Sequence, residues 1–269
     1  MLWEELTGDE FAGAVKEVEG VCLLPLSVIE RHAHHLPLGT DMYIGREMCR
    51  RGARLEKAII FPDLIYTQIL EAQHCIGTIA MDAEVILALV NNVIREIARN
   101  GLKKIILVNA HGGNNALMTF LTQIQLRAPS DTVLYAWNPV LLAEDTDAVA
   151  GLWESKVDGH AGEKETSAIL AIRPDLVRSK ALRADGEGMP LGRLTPLREA
   201  GLTPGIWWYA DHPTHYRGDG TPATAQKGER YLNAVGRALA HAIRLVKQDT
   251  VSAQLQAQFL ASAQGHSAP

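Results

Sequence analysis

The chain has 269 residues, of which 47% are hydrophobic and 21% are charged, and its formal net charge is −5 at pH 7. Phosphate binding needs a cluster of Lys and Arg side chains, and the sequence contains none, which excludes nucleic acid as a main partner. No apolar stretch reaches the roughly 18–20 residues that span a membrane, and the first residues lack the basic and apolar regions of a signal peptide. We therefore expect a cytoplasmic globular protein that binds neither nucleic acid nor a membrane.

Predicted strands and helices alternate along the chain. Apolar runs predict strands, and apolar residues at helical spacing predict helices. The clearest helix covers 82–100, where an apolar stripe lies between an N-cap candidate, Asp82, and the terminating Gly101. The other predicted elements are strands at 20–27, 58–62, 104–109 and 132–137, and helices at 40–54, 113–127, 162–171 and 228–247. This alternation is typical of an α/β fold with a mostly parallel sheet covered by helices on both faces.

The segment 183–227 interrupts the alternation. It is rich in Gly and Pro, and Trp207, Trp208 and Tyr209 are embedded in it. A loop region of this length inside a compact domain is usually functional or part of an interface. We interpret 1–248 as a single domain and 249–269 as a polar C-terminal tail that frays.

The first chemical motif follows the strand 20–27. Within one short stretch it contains Glu30, His32, His35 and Asp41. Carboxylates and imidazoles in one cluster bind divalent metals, and unpaired charge beside a buried strand is costly. We therefore predict a metal site at the carboxyl end of this strand, where open α/β sheets place their ligand sites. The alternative for Asp41, or for Thr40 before it, is that it only caps the next helix.

The second motif comes directly after the strand 104–109. His111 leaves the sheet at the same edge as Glu30, and Gly112 and Gly113 allow a ligand to approach the backbone closely. Asn114 then leads into a helix whose N-terminal amides favour anionic groups. The alternative is a tight strand-to-helix turn with an ordinary histidine. The combination with the first motif favours a site.

The third motif leads into the helix 162–171. His160 has neither an apolar-face nor a capping explanation, so it is a candidate general acid or base. Glu163 and Glu165 could simply complement the helix dipole, or one of them could face the sheet edge as a metal ligand. Further along, we interpret His212 and His215 as histidines of a surface loop; the alternative is that they line a pocket near the two tryptophans.

Together these motifs resemble the creatininase (creatinine amidohydrolase) family. The family pattern is E-x-H-G-x-H-L-P-x-x-T-D, then G-H-G-G-N, then H-A-G-x-x-E-T-S, then a late G-D-P-x-x-A-T-x-x-K-G. The corresponding residues here are Glu30-x-His32-Ala33-x-His35-Leu36-Pro37-x-x-Thr40-Asp41, Ala110-His111-Gly112-Gly113-Asn114, His160-Ala161-Gly162-x-x-Glu165-Thr166-Ser167 and Gly218-Asp219-Gly220-x-x-Ala223-Thr224-x-x-Lys227-Gly228. The resemblance covers positions 21–230.

The resemblance implies a three-layer α/β/α fold and hydrolysis of a non-peptide C–N bond by a water that two divalent metal ions activate. The ions are zinc or manganese, with iron in some branches, and such proteins are commonly homo-oligomers, often hexamers. By position, Glu30, His32, Asp41 and His111 match family metal ligands, with Asp41 as the bridge. His160 matches the residue that transfers a proton.

Among the departures of the chain from creatininases proper, two lie in the second and third motifs. Those enzymes have a Tyr and a metal-binding Glu where this chain has Gly112 and Gly113, so we predict that Glu165 supplies the fifth ligand. They also have a Glu before the third-motif His, where this chain has Gly159.

These departures indicate the HGGN branch, which includes formamide deformylases of flavin-type cofactor synthesis and a peptidase of mycofactocin maturation. We place His35, Gly112, Gly113 and Asn114 near the substrate or behind the metal ligands. The predicted substrate is a cyclic amide, a formamide or another small amide. The alternatives are creatinine hydrolysis itself and a catalytically silent metal-binding or assembly protein.

Overall fold

The main sheet has four parallel strands in the computed structural model, which describes residues 1–183 and 186–265. The strands are β1 (Val21–Leu26), β2 (Ile59–Ile60), β3 (Lys104–Asn109) and β4 (Val133–Trp137). They lie in the order β2–β1–β3–β4 and every neighbouring pair is parallel. All four strands predicted from apolar runs are present, and β2 is shorter than expected.

Helices connect and cover the strands. The helices are α1 (Gly8–Glu17), α2 (Thr40–Leu55), α3 (Ala83–Arg99), α4 (Asn115–Ile124), α5 (Ala143–Ala150), α6 (Glu163–Ile172), α7 (Thr195–Glu199), α8 (Trp207–Asp211), α9 (Ala225–Gln248) and α10 (Val251–Gly265). The five predicted helices correspond to α2, α3, α4, α6 and α9, with ends that differ by a few residues. A separate antiparallel pair is formed by β5 (Asp158–His160) and β6 (Arg217–Gly218). Within the described ranges, no helix is both long and apolar enough to cross a bilayer.

Alternate strand residues face two separate hydrophobic cores, because successive side chains of a strand point to opposite faces. Leu23 and Ile106 pack with α2, α6 and α9 on one face, while Leu24 and Ile105 pack with α1, α3 and α4 on the other. The predicted sheet with helices on both faces, the α/β/α arrangement, is confirmed.

The long helix α9 packs very closely against both α2 and α6. A Cβ atom at Gly228 would lie 1.9 Å from the carbonyl oxygen of Ser167 in α6. A Cβ atom at Gly236 would lie 2.7 Å from the Cβ of Arg51 in α2. Only glycine at these two positions permits the observed contact between the helices.

Two regions differ from the sequence predictions. The segment after residue 183 contains α7, α8 and β6, so it is not one continuous loop, although Ala184 and Asp185 lie outside the described residues. The tail is not frayed between Val251 and Gly265, where it forms α10. Within this helix the side chain of Leu260 is buried. The prediction for 266–269 lies outside the described residues.

Candidate metal centre

The residues predicted to bind metal converge at the carboxyl-terminal edge of the sheet. Glu30 and His32 lie in the loop that follows β1, and His111 lies directly beyond β3, the parallel neighbour of β1. Asp41 is the second residue of α2, and Glu165 lies in the first turn of α6. Neighbouring parallel strands end at the same edge, which brings distant parts of the sequence together there.

Asp41 stands at the centre of this cluster. Its Oδ1 lies 3.2 Å from His32 Nε2, and its Oδ2 lies 3.1 Å from His111 Nδ1. His111 Nδ1 is also 2.8 Å from Glu30 Oε1, and His32 Nε2 is 3.7 Å from Glu165 Oε2. Three triads have ligand atoms within 4.8 Å of one another: Glu30, Asp41 and His111; His32, Asp41 and Glu165; and Glu30, His32 and His160.

The capping alternative for Asp41 is wrong. The N-cap of α2 is Gly39, and no side chain caps this helix terminus. The hydroxyl of Thr40 donates instead to the carbonyl of Pro37 at 2.7 Å. Both carboxylate oxygens of Asp41 therefore face the imidazoles.

The structure also distinguishes the two glutamates of the third motif. Glu163 is buried and turns away from the cluster. Its carboxylate accepts hydrogen bonds from the backbone N–H groups of Glu154 and Ser155 at 2.8 and 2.7 Å and pairs with Lys227. Glu165 faces the cluster, and its Oε2 accepts the backbone N–H of Ala161 at 2.6 Å. Of the two, only Glu165 is placed to bind the same metal ion as His32.

The cluster attracts positive charge. Burial by itself lowers the pKa of His32, but the adjacent Asp41 carboxylate, with Glu30 and Glu165 behind it, raises that pKa to about 10. Removal from water raises the pKa of Glu165 to about 7, against the influence of His32. Three carboxylates and two imidazoles gathered away from water are a donor set that suits divalent cations of mixed oxygen and nitrogen preference.

His160 lies beside the cluster at the end of β5. Its ring packs against those of His32 and His215, with centroid separations of 4.2 and 4.4 Å. Burial and the neighbouring His32 lower its pKa well below the usual histidine value, so the imidazole is neutral. The carbonyl of Arg31 lies 2.8 Å from His160 Nε2 and can only accept, which assigns the proton to that nitrogen.

The remaining predicted residues divide into two pairs. Gly112 and Gly113 line the cavity, and a Cβ atom at Gly113 would lie 2.5 Å from His111 Nε2. His35 lies behind the cluster, with Nε2 2.8 Å from the hydroxyl of Thr166. Asn114 is buried and bonds to the backbone of Leu26 and Gln68, which gives it a structural place.

A cavity of about 250 Å³ opens above the cluster. Glu71 lines it beside His111, and the lining also includes Trp207, Trp208 and Arg217. These last three residues all come from the region 183–227, which the sequence analysis marked as functional or interfacial.

His215 is a site residue that the sequence analysis missed. The sequence favours a surface histidine here, but only 1% of its surface is exposed. Its Nδ1 accepts the indole N–H of Trp208 at 2.8 Å, and its Nε2 donates to Glu30. Its φ of 57° is left-handed, as are those of Ala33 and Ala161, so the backbone is strained at three points around the cluster. No local motif marks His215, because its partner lies far away in sequence. His212 is buried as well.

Comparison with known proteins identifies relatives of this chain. A family model described as creatininase (creatinine amidohydrolase) matches residues 4–243. The creatinine amidohydrolase of Pseudomonas putida is 28% identical over 64% of this chain and 72% of its own length. The mycofactocin precursor peptide peptidase of Mycobacterium ulcerans is 33% identical over 77% of this chain and 78% of its own length.

A solved structure extends the comparison to the fold. A mutant creatininase described as of Zn–Zn type is 25% identical and superimposes with a TM-score of 0.74, covering 90% of this chain and 96% of that one. The relatives named above are hydrolases that act on C–N bonds. The chain therefore belongs to the creatininase family.

Proposed function

We propose that this protein is a metal-dependent amidohydrolase whose centre holds two divalent ions. One ion would be held by Glu30, Asp41 and His111, and the other by His32, Asp41 and Glu165. The observation that carries the proposal is the position of Asp41, whose two oxygens each face the imidazole of a different triad. A carboxylate shared in this way is the arrangement expected of a bridging ligand.

The donor set fits zinc or manganese better than magnesium or calcium, because imidazole nitrogen is a poor ligand for the latter pair. When bound, such ions supply Lewis acidity, which activates water and polarises a carbonyl group at neutral pH. Iron remains compatible with the same ligands.

The chain's own residues complete the proposed reaction. His160 adjoins the cluster as a neutral imidazole, and it is the group assigned to take a proton from the attacking water and deliver it to the leaving nitrogen. Gly113 makes room for the side chains of His111 and Glu71, and a Cβ atom at Gly112 would meet nothing within 4 Å, which leaves open space at that end of the cavity. Trp207 and Trp208 cover one side of the cavity and limit the access of bulk water.

Elemental analysis of the protein purified without added metal tests the centre. We expect about two equivalents of zinc or manganese per chain for the wild type and one or none for Asp41→Asn, which keeps the size of the side chain but removes its charge. Fewer than one equivalent in the wild type, after incubation with zinc or manganese, would rule out the dinuclear centre.

The substrate class is proposed to be a small amide, including formamides, cyclic amides and short peptides. Creatinine itself is the second candidate, because one relative is a creatinine amidohydrolase. A panel that contains creatinine, N-formyl compounds, cyclic amides and short peptides would be assayed for hydrolysis before and after treatment with a chelator. Hydrolysis that disappears with chelation and returns with zinc or manganese supports the enzyme. A fully loaded protein that hydrolyses no member of the panel supports the catalytically silent alternative.

We also propose that the protein is a homo-oligomer, with a hexamer favoured. Large apolar side chains stand exposed on the chain, among them Ile76, which is 97% exposed, and Ile206 and Leu202. Light scattering coupled to size-exclusion chromatography measures the mass directly, and a monomeric mass at micromolar concentration would contradict the proposal.

A further inference from the structure

Arg217 presents an unpaired positive charge to the cavity. Its side chain is exposed, and among the residues that the structure describes no carboxylate forms an ion pair with its guanidinium. Other arginines of the same region are engaged. Arg198 pairs with Asp211 at 2.8 Å, and Arg193 donates to the backbone carbonyls of Tyr209 and Ala210. Arg217 is therefore the arginine of this wall that is available to a ligand.

The strand pairing fixes where this charge lies. In the antiparallel pair β5–β6, Arg217 stands directly opposite His160. The register shifts between Asp158 and His160, so the pair is irregular at Gly159, and both His160 and Arg217 line the cavity. The guanidinium stem consequently begins beside the residue assigned to protonate the leaving nitrogen.

Gly159 makes room for the arginine. A Cβ atom at Gly159 would lie 2.9 Å from Cδ and 3.2 Å from Nε of Arg217. A larger side chain at this position would have to displace the stem from its path. The absence of a side chain at Gly159 therefore allows Arg217 to take its position in the cavity wall.

The charges around the cavity are unevenly distributed. Arg217 is the only Lys or Arg among the described residues that line it, and Glu71 adds a carboxylate beside His111, with Oε1 3.8 Å from His111 Nε2. An anionic group on a substrate is repelled by Glu71 and attracted by Arg217. A guanidinium also offers two parallel N–H donors that match a carboxylate.

We propose that Arg217 binds a carboxylate carried on the amine side of the scissile amide, so that the substrate is an N-acyl amino acid or the carboxyl-terminal part of a short peptide. This assignment rests on the proposed function, because it takes His160 as the group facing the leaving nitrogen. In the reaction the oxygen of water bonds to the carbonyl carbon, the C–N bond breaks, and the nitrogen gains a proton. The products are a carboxylate and an amino acid or short peptide with a free amino group.

A binding measurement tests Arg217 separately from turnover. Two probes share a methanesulfonamide group that hydrolysis does not cleave: N-methanesulfonylglycine carries a carboxylate, and N-(2-hydroxyethyl)methanesulfonamide carries a neutral hydroxyl in its place. Calorimetric titration of the zinc-loaded protein is expected to show about tenfold tighter binding of the carboxylate probe, in the range of a charge-assisted hydrogen-bonded pair.

Three variants complete the test. Arg217→Gln should remove the preference while leaving the affinity for the neutral probe unchanged, and Arg217→Lys should retain part of it. Arg230→Gln removes an exposed arginine of α9 and should behave as the wild type. A wild type that binds both probes equally or neither, or an Arg217→Gln variant that keeps the preference, overturns the proposal.

The two proposals can fail independently. If the metal-loaded wild type hydrolyses no amide of the panel, the proposed function is contradicted, regardless of how the two probes bind. A wild type that hydrolyses neutral amides and shows no carboxylate preference would leave the amidohydrolase intact and remove the role of Arg217.

Discussion

His215 donates a hydrogen bond from Nε2 to Oε2 of Glu30, a residue 185 positions earlier in the chain. Trp208 in turn donates its indole N–H to His215 Nδ1 at 2.8 Å, which fixes the tautomer of the imidazole. The chain Trp208–His215–Glu30 holds the other oxygen of the Glu30 carboxylate towards His111. Outer partners of this kind orient a metal ligand and are worth about 10–100-fold in metal affinity.

The first prediction concerns this chain of hydrogen bonds. Replacing His215 with Ala should weaken zinc binding by about 10–100-fold, because Glu30 loses the group that orients it. Competition with a chromogenic chelator measures the affinity. Trp208→Phe keeps the imidazole and should have a smaller effect, and His241→Ala, at an exposed position of α9, should have none. An unchanged affinity in His215→Ala would show that Glu30 is positioned by other contacts.

A second prediction separates the two glutamates of α6. Glu165→Gln should lose one of the two metal ions with little change in the unfolding of the metal-free protein. Glu163→Gln should keep both ions but lower the free energy of unfolding by about 2 kcal/mol, because Lys227 then loses its buried anionic partner. Elemental analysis and chemical denaturation of the chelated proteins measure these two effects. If Glu163→Gln were the variant that lost metal, the assignment of the ligand would be reversed.

His160 gives the third prediction. Its replacement by Ala should lower kcat by about 10²–10⁴-fold on any amide that the wild type hydrolyses, while the metal content stays the same. His34→Ala serves as a matched control, because His34 lies in the same region but is exposed. Turnover close to that of the wild type in a fully loaded His160→Ala protein would exclude the proton-transfer role.

The fourth prediction is a dependence of stability on pH at the start of α10. Asp249 accepts hydrogen bonds from the backbone N–H groups of Ser252 and Val251 and from the hydroxyl of Tyr135, and these bonds, led by those from Ser252, lower its pKa to about 2. The folded-state pKa is below the unfolded value of about 3.9, so the stabilisation is complete above about pH 4 and is lost as the pH falls towards 2.

Urea denaturation of the wild type and Asp249→Ala at a series of pH values measures this effect. The wild type should be more stable by about 1 kcal/mol between pH 5 and 8, as expected for the loss of a capping side chain. The difference should shrink below pH 4. A difference that stays constant down to pH 2.5 would show that the carboxylate charge contributes nothing.

The sequence predicts most strands and helices of the fold because each of them has a local pattern of apolar residues. β3 and α3 each combine a continuous or periodic apolar pattern with a clear end signal, and both were predicted to within one residue. The helix α1 was missed although its signal was present. Thr7 and Glu10 form a capping box, with the Thr7 side chain accepting the Glu10 N–H and the Glu10 carboxylate accepting the Thr7 N–H.

The residues of the cluster could be predicted from three short motifs, each adjacent to a strand or a helix start. His215 could not, because it has no motif of its own and its relation to Glu30 exists only after the chain has folded. The choice between Glu163 and Glu165 likewise depends on Lys227, which reaches Glu163 from another helix. The helix α10 could not be predicted for a related reason. Its polar composition gives no apolar pattern, and the helix is held by the hydrogen bond from Ser252 to Asp249 at its start and by the burial of Leu260.

The glycine contacts of α9 have a consequence for the spacing of the metal ligands. Asp41 and Glu165 belong to the helices α2 and α6, and α9 contributes no ligand but touches both helices through Gly236 and Gly228. The distance between the two ligands is therefore set by α9, a helix that supplies no ligand itself. A methyl group added at Gly228 would push α6 outwards as a rigid rod, and Glu165 would retreat from His32 although no atom of the centre had been altered.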